Sequence, residues 1–79
     1  MKVPRDVNAG DLIKLMAQLG YIVIRQTGSH IRISKIINGN EHAITVPNHK
    51  PIKIGTLQNI AKDICLANKY DINDFYNKL

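Results

Sequence analysis

The chain has 79 residues, of which 44% are apolar, and a net charge of +5. This length suits one domain with a small core, and the apolar fraction argues against disorder. No apolar run approaches the roughly 18 residues that a membrane span needs, and no secretory signal is visible at the start. We therefore expect a single cytoplasmic domain, residues 1–79, with no membrane partner. The 11 Lys and Arg residues outnumber the six acidic residues, which favours a phosphate-bearing partner such as nucleic acid.

The first predicted element is a helix from about Ala9 to Leu19, in which apolar residues recur at helical spacing. Asn8 is placed to cap its first turn, and Asp11 stands three residues on as a shorter version of the capping-box acid. Gly20 supplies the stop signal that commonly follows a helix.

Three strands follow, each bounded by turn residues. The first is expected at about Tyr21 to Gln26 and the second at His30 to Ile37, because both runs are rich in β-branched residues. Asn38-Gly39 is a strong signal for a two-residue hairpin turn. It should lead into a third strand at about Glu41 to Val46, which Pro47 ends.

Alternation along the second strand assigns its side chains to two faces of the sheet. Ile31 and Ile33 should face the core, whereas His30, Arg32 and Ser34 should face solvent. An antiparallel sheet can bury one face under helices and leave the other wet, so this division fits a sheet covered on one side.

Two more helices are predicted, at about Ile54 to Ala67 and at Ile72 to Leu79, the second capped by Asp71 with Asp74 in the box position. The resulting fold class is α+β, with the order α-β-β-β-α and a short C-terminal helix. We expect a three-stranded antiparallel sheet with the helices packed on one face.

The histidine in Gly28-Ser29-His30 is the first candidate for chemistry. RNA cleavage without a metal needs a base for the 2′-hydroxyl proton and a cation for the developing negative charge. His30 can be the base, and Arg32, two residues along the same face, can bind phosphate. Ser29 could orient either group. A surface histidine with no task is an equally good interpretation of His30 on these grounds alone.

Other polar residues are weaker candidates. His49 and Lys50 lie on a basic loop, where a second acid–base group or a phosphate contact would fit. Lys53 and Thr56 stand where the second helix begins and could also meet phosphate, although both fit a solvated helix start equally well. A metal site is not expected, because no pair of histidines has a local ligand spacing. His42 is expected to be a half-buried strand residue. Cys65 should be a packing residue, because it lies beside the apolar stripe of its helix.

Four segments resemble the HicA toxins of bacterial and archaeal HicA–HicB toxin–antitoxin systems. They are Leu19 to Tyr21, Arg25 to His30, Ala43 to His49 and Ile54 to Ile60, and they occur in the family's order within about residues 9–66. The string Gly-Ser-His is weak alone, but the segments together are fairly specific. The loop 50–53 and the extension 68–79 are less typical of the family.

The resemblance implies a fold like that of double-stranded-RNA-binding domains and an mRNA interferase that cuts mRNA without a metal or other cofactor. It implies that His30 is catalytic and that a HicB-type antitoxin binds the toxin and blocks its site. Arg25, Gly28 and Ser29, in the matched segment, are expected to support the site or bind RNA together with Arg32.

Two other interpretations remain open. A non-catalytic RNA-binding module could share this fold, because such domains read duplex shape, 2′-hydroxyls and phosphates. A protein-binding subunit with an incidental basic charge is the second. The nature of residue 30 separates the first of these from a nuclease, because a pure RNA binder would more naturally carry Lys or Arg there.

Overall fold

The computed structural model of the protein describes residues 3–79, so residues 1 and 2 of the predicted domain lie outside the described residues. Within this range the chain forms three helices and three strands in the predicted α-β-β-β-α order, and the predicted fold class is confirmed. They are α1 (Ala9–Gln18), β1 (Ile22–Thr27), β2 (His30–Ile37), β3 (Asn40–Pro47), α2 (Ile54–Asn68) and α3 (Ile72–Asn77).

The strands form one antiparallel sheet in the order β1-β2-β3. Two tight turns set its register. Gly28 takes a φ of +56° between β1 and β2, and Asn38 and Gly39 take φ values of +52° and +81° between β2 and β3, as the predicted hairpin turn requires. Thr27 therefore pairs with His30, and Ile37 pairs with Asn40.

Helices cover one side of the sheet, here called the covered face, and among residues 3–79 no helix covers the other side, the open face. Ile31 and Ile33 of β2 are buried on the covered face, as predicted. They are joined there by Ile44 and Val46 of β3, which pair with them. The rest of the core comes from the three helices and the segments beside them, with these side chains almost fully buried: Leu12, Met16, Leu57, Ala61, Ile64 and Phe75.

Helix α3 is part of this core and not an appendage. Its cap is the predicted one, because the Asp71 carboxylate accepts a hydrogen bond from the Asp74 amide at 3.0 Å. Phe75 is fully buried and Tyr76 is nearly so. A small domain gains much from one such ring, because burying an aromatic side chain contributes about 1.5–3 kcal/mol.

The predicted element ends are off by one or two residues, and Tyr21 shows why. The sequence pattern places Tyr21 in β1, but β1 begins at Ile22. The Tyr21 amide instead donates to the Met16 carbonyl at 3.0 Å, closing the end of α1 around Gly20. Tyr21 therefore belongs to the helix-to-strand connection, and its ring is buried.

Some other ends also shift, whereas both ends of β2 and the starts of the three helices lie where predicted. Helix α1 stops at Gln18, because Leu19 is already the cap, and α2 continues one residue further, to Asn68. Helix α3 stops at Asn77. Strand β3 reaches from Asn40 to Pro47, because its pairing with β2 extends from the Asn38-Gly39 turn to the first residue of β2, His30.

Ser34 departs from the predicted division of faces. It lies on the open face, opposite Ala43, yet it is buried. Its hydroxyl donates to the Glu41 carboxylate at 2.9 Å, across to the neighbouring strand. At the end of the open face near Glu41, the polar groups of Ser34 and Glu41 therefore satisfy each other, and His30 lies at the opposite end.

Candidate active site

His30 begins β2 at the end of the open face that lies opposite Glu41. It pairs with Thr27 on β1 and with Pro47 on β3, so the neighbouring strands hold its backbone on both sides. Its side chain is exposed, and none of the side-chain hydrogen bonds within residues 3–79 uses its ring. Its place in the sheet is fixed while both ring nitrogens stay available to a ligand.

Arg25 and Arg32 stand opposite each other on β1 and β2, next to His30 on the same face. Like charges directly opposite each other destabilise a sheet, so the stability of the sheet does not explain why two arginines are paired here. The one ion pair within residues 3–79 joins His42 to Asp63, and neither arginine takes part in it. The two guanidinium groups are therefore free to bind an anion such as phosphate.

The orientation of Arg32 is set by β3. Its Nη1 donates to the Thr45 hydroxyl at 2.8 Å, and Thr45 is its direct partner in the strand register. This bond uses one of the five N–H donors of the guanidinium and leaves the others for a ligand. Arg25 is exposed and Arg32 is half-buried, so Arg32 is the more firmly held of the two.

Ser29, in the turn that precedes His30, is hydrogen-bonded to the basic loop 48–53. Its carbonyl oxygen accepts a hydrogen bond from the Asn48 amide at 2.6 Å. The loop is held at two further points, since the Ala9 amide donates to the His49 carbonyl at 3.3 Å and the Ile52 amide donates to the Val7 carbonyl at 2.8 Å. The loop therefore starts beside His30.

The predicted residues of this loop and of the α2 start are less closely joined to the site. The side chains of His49, Lys50 and Lys53 are exposed, and Thr56 is half-buried in the first turn of α2. Within residues 3–79, no side-chain hydrogen bond connects any of them to the open face. The structure thus brings His30, Arg25 and Arg32 together, with Gly28 and Ser29 forming the turn, and leaves these four at the periphery.

His42 lies on the covered face and is held at both ring nitrogens. Asn68 donates to the Tyr21 hydroxyl at 3.0 Å, so the phenol hydrogen is available to His42 Nδ1 at 2.6 Å. His42 Nε2 then carries the ring hydrogen and donates to Asp63 at 3.1 Å. Lys35 completes the network by donating to the Asn68 side-chain oxygen at 2.6 Å. The half-buried position predicted for His42 is confirmed, and its contacts tie the sheet to α2.

The environment of the buried tyrosine and thiol keeps both groups neutral. Burial raises the pKa of the Tyr21 hydroxyl; the hydrogen bond from Asn68 opposes this effect, and the Asp63 carboxylate adds to it. Burial also raises the pKa of the Cys65 thiol, with the negative charge of Asp71 acting in the same direction. A buried thiol held in its protonated form is a poor nucleophile, and the predicted packing role of Cys65 is confirmed by its place in the core.

No cluster of three His, Cys, Asp or Glu side chains within residues 3–79 has the geometry to hold a metal ion. The faces of the sheet explain this for two of the histidines, because His30 and His42 project from opposite sides. In the same described range, no helix is both long and apolar enough to cross a membrane.

The sequence interpretation did not find the pairing of Arg25 with Arg32, nor the contact of Arg32 with Thr45. Both could have been derived from the two turns. A two-residue turn at Gly28-Ser29 pairs residues whose numbers add up to 57, and one at Asn38-Gly39 pairs residues whose numbers add up to 77. The strand register given by these two turns is what the sequence interpretation lacked.

The sequence model of the family described as HicA toxin of bacterial toxin-antitoxin matches residues 9–66. This range holds α1, the whole sheet and most of α2, including every residue of the open face. Neither the curated proteins nor the solved structures gave a match. Since the match spans most of the chain, the chain belongs to the HicA toxin family.

Proposed function

We propose that this toxin is an endoribonuclease that cuts mRNA in the cytoplasm without a metal ion, with His30 as its catalytic residue. The observation that carries the proposal is the group formed by His30, Arg25 and Arg32 on the open face. A histidine with free ring nitrogens stands there beside two arginines that have no acidic partner within residues 3–79. A general base next to a cationic phosphate site is what RNA cleavage requires.

The reaction uses the 2′-hydroxyl of the RNA as its nucleophile. His30 takes the 2′ proton while the 2′ oxygen attacks the adjacent phosphorus, and the bond from phosphorus to the 5′ oxygen of the next nucleotide breaks. The leaving 5′ oxygen takes up a proton, so the products carry a 2′,3′-cyclic phosphate and a 5′-hydroxyl. His30, once protonated, can return that proton, and His49 on the neighbouring loop is the second candidate for this step.

Arg25 and Arg32 stabilise the negative charge that builds up on the phosphate oxygens during this attack. Preorganised charge of this kind is commonly the largest single contribution to such a reaction. Arg32 is preorganised by its bond to Thr45. Lys50, Lys53 and Thr56 extend the positive surface beyond the turn formed by Gly28 and Ser29, where they would contact the RNA backbone on either side of the cut.

Membership of a toxin–antitoxin family implies an antitoxin as partner. We propose that this partner is of the HicB type and that it inhibits the toxin by covering the open face. The His30 end of this face offers cationic groups for an acidic segment, and its other end carries the exposed side chains of Ile22 and Ile36. Cover of this kind would exclude RNA from His30.

The test is incubation of purified protein with a defined single-stranded mRNA in the presence of EDTA, followed by analysis of the fragment ends. We expect fragments with 2′,3′-cyclic phosphate and 5′-hydroxyl ends. Fragments with 3′-hydroxyl and 5′-phosphate ends, or cutting that EDTA abolishes, would contradict the mechanism. Salt-sensitive RNA binding without any cleavage would favour the RNA-binding module, which the free arginines of the open face also support.

A further inference from the structure

We propose that the groove between β3 and α2 holds the base next to the scissile phosphate and prefers a base with an exocyclic amino group over uracil. This inference rests on the proposed RNA cleavage. It adds a specificity site next to the reacting groups, with which it shares Arg32.

The groove is a real depression of about 340 Å³ at the outer edge of the sheet. That volume lies at the lower end of the range of small-ligand pockets, which is about 300–1,000 Å³. Aliphatic side chains make up part of its wall, and polar groups stand around them. Its lining consists of Arg32, Ala43, Ile44, Thr45, Asn59, Ile60 and Asp63.

Arg32 joins the groove to the site of cleavage. It lines the groove, and it also stands opposite Arg25 beside His30. Two residues along a strand span about 7 Å, so the groove begins about that far from His30. This is comparable to one nucleotide step along an extended RNA strand. A phosphate bound by the two arginines would therefore bring the base of its neighbouring nucleotide to the groove.

Asp63 gives the groove its selectivity. One carboxylate oxygen accepts from His42 at 3.1 Å, and the side chain is more than half exposed, so the other oxygen can accept from a ligand. The exocyclic amino groups of cytosine, adenine and guanine are donors that fit this acceptor. Uracil presents carbonyl oxygens at the corresponding positions, and these would face the negative charge, so that only its single ring N–H could donate to the carboxylate. The carboxylate therefore discriminates by both attraction and repulsion.

Asn59 and Arg32 can hold the same base in other ways. Asn59 is exposed on α2, one helical turn before Asp63, and none of the side-chain hydrogen bonds within residues 3–79 uses its amide. Its side chain can donate to a ring nitrogen or carbonyl of any base. The planar guanidinium of Arg32 is suited to stack on the ring. Asn59 thus contributes to the binding affinity for any base, whereas Asp63 determines which bases are preferred.

The first test maps the cut positions in a random-sequence RNA for the wild type, Asp63→Asn and the matched control Asp74→Asn. Asp63→Asn keeps an oxygen that can accept from His42, so the fold should be retained. We expect the wild type to prefer amino-bearing bases over uracil by about tenfold at one position beside the cut, as one good polar contact provides. Asp63→Asn should reduce this preference to within about threefold, while Asp74→Asn should keep it. An unchanged preference in Asp63→Asn would overturn the proposal and leave the proposed cleavage intact.

The second test does not depend on cleavage. Cytidine 3′-monophosphate and uridine 3′-monophosphate are titrated separately into the full chain, and the side-chain amide signals of Asn59 are followed by NMR. We expect the cytidine nucleotide to shift these signals at lower concentration than the uridine nucleotide, and Asn59→Ala to weaken its binding. Shifts confined to the His30 turn, or equal responses to the two nucleotides, would refute the groove as a base site. A protein that binds as expected but never cuts RNA would refute only the proposed cleavage.

Discussion

His30 and His42 stand on neighbouring strands of one sheet, but the two faces give them opposite surroundings. His42 has both ring nitrogens engaged, by the Tyr21 hydroxyl and by Asp63, and it ties β3 to α2. His30 has neither engaged within residues 3–79 and stands beside two unpaired arginines. The same side chain therefore supports the fold in one place and is available for chemistry in the other.

The difference indicates which of these two histidines is available to a substrate, in a chain that has three histidines. Residue type alone does not separate them, and neither does location on a strand. What separates His30 from His42 is whether the hydrogen-bonding capacity of the ring is already used inside the protein, and whether the nearby charges complement the ring or an anionic substrate. On both counts we assign the chemistry to the open face and the structural role to the covered face.

The largest expected effect is the loss of RNA cleavage in His30→Ala. A general base contributes about 100- to 10,000-fold to a rate, so we expect single-turnover cleavage to fall by at least about 100-fold. The free energy of unfolding in urea should change by no more than about 0.5 kcal/mol, because the ring is exposed and unbonded. Cleavage by the variant at the wild-type rate would show that the reaction is performed elsewhere.

His42→Ala should produce the opposite result. Its removal leaves the buried Tyr21 hydroxyl without its acceptor and breaks the connection to Asp63, which should lower the free energy of unfolding by about 1–3 kcal/mol. Cleavage measured well below the unfolding temperature should stay within a few-fold of wild type. A His42→Ala variant that keeps its stability and loses cleavage would contradict the structural role assigned to His42.

Arg25→Ala should weaken RNA binding without weakening the fold. Loss of one phosphate contact is expected to lower the slope of log affinity against log salt by about 0.7, as for a single-stranded nucleic acid. Stability should stay the same or rise slightly, because the like charge opposite Arg32 is removed. Lys78→Ala, which removes an exposed cation at the end of α3, is the control. An equal change of slope in both variants would mean that RNA responds to net charge rather than to the open face.

The smallest effect concerns the covered face at alkaline pH. Burial raises the pKa of Tyr21 in the folded protein, whereas an unfolded tyrosine titrates near 10. Its contribution to stability is therefore complete below about pH 10 and is lost as the pH rises through the folded value. Tyr76 and Cys65, whose pKa values are also raised by burial, act in the same direction.

The measurement is urea unfolding of wild type and Tyr21→Phe at neutral pH and above about pH 10. The variant should be less stable at neutral pH, because it lacks the bond to His42. It should then lose less stability than the wild type on going to alkaline pH. An equal alkaline loss in both proteins would show that Tyr21 does not titrate differently in the folded and unfolded states.

Much of the fold could be predicted from local sequence signals. The periodicity of the helices, the turn at Asn38-Gly39 and the alternation of Ile31 and Ile33 each reflect a local physical preference, and the structure confirms them. The place of His30 on the open face followed from the same alternation. The element ends were less accurate, because long-range contacts decide them, as the bond between the Tyr21 amide and Met16 shows.

Other features depend on contacts between distant segments and could not be predicted in this way. A register shift between Val23 and Arg25 interrupts the pairing of β1 with β2, and no local signal marks it. The burial of Ser34 depends on Glu41 from the next strand. The groove at Asp63 exists only because α2 runs along the edge of β3. The positions of His30 and Arg32 on one face were predictable, whereas the register shift in β1 and the groove depend on contacts between distant segments.

The most direct test of the division between the two faces is an NMR titration with a 2′-O-methylated RNA oligonucleotide, which cannot be cut because its nucleophile is blocked. The ring C–H signals of the histidines report binding at both faces in a single experiment. We predict that the His30 signals shift progressively with added RNA, and by more than those of His42, whose ring keeps its bonds to Tyr21 and Asp63. Shifts at His42 without shifts at His30 would contradict the account, because RNA would then be bound away from the open face.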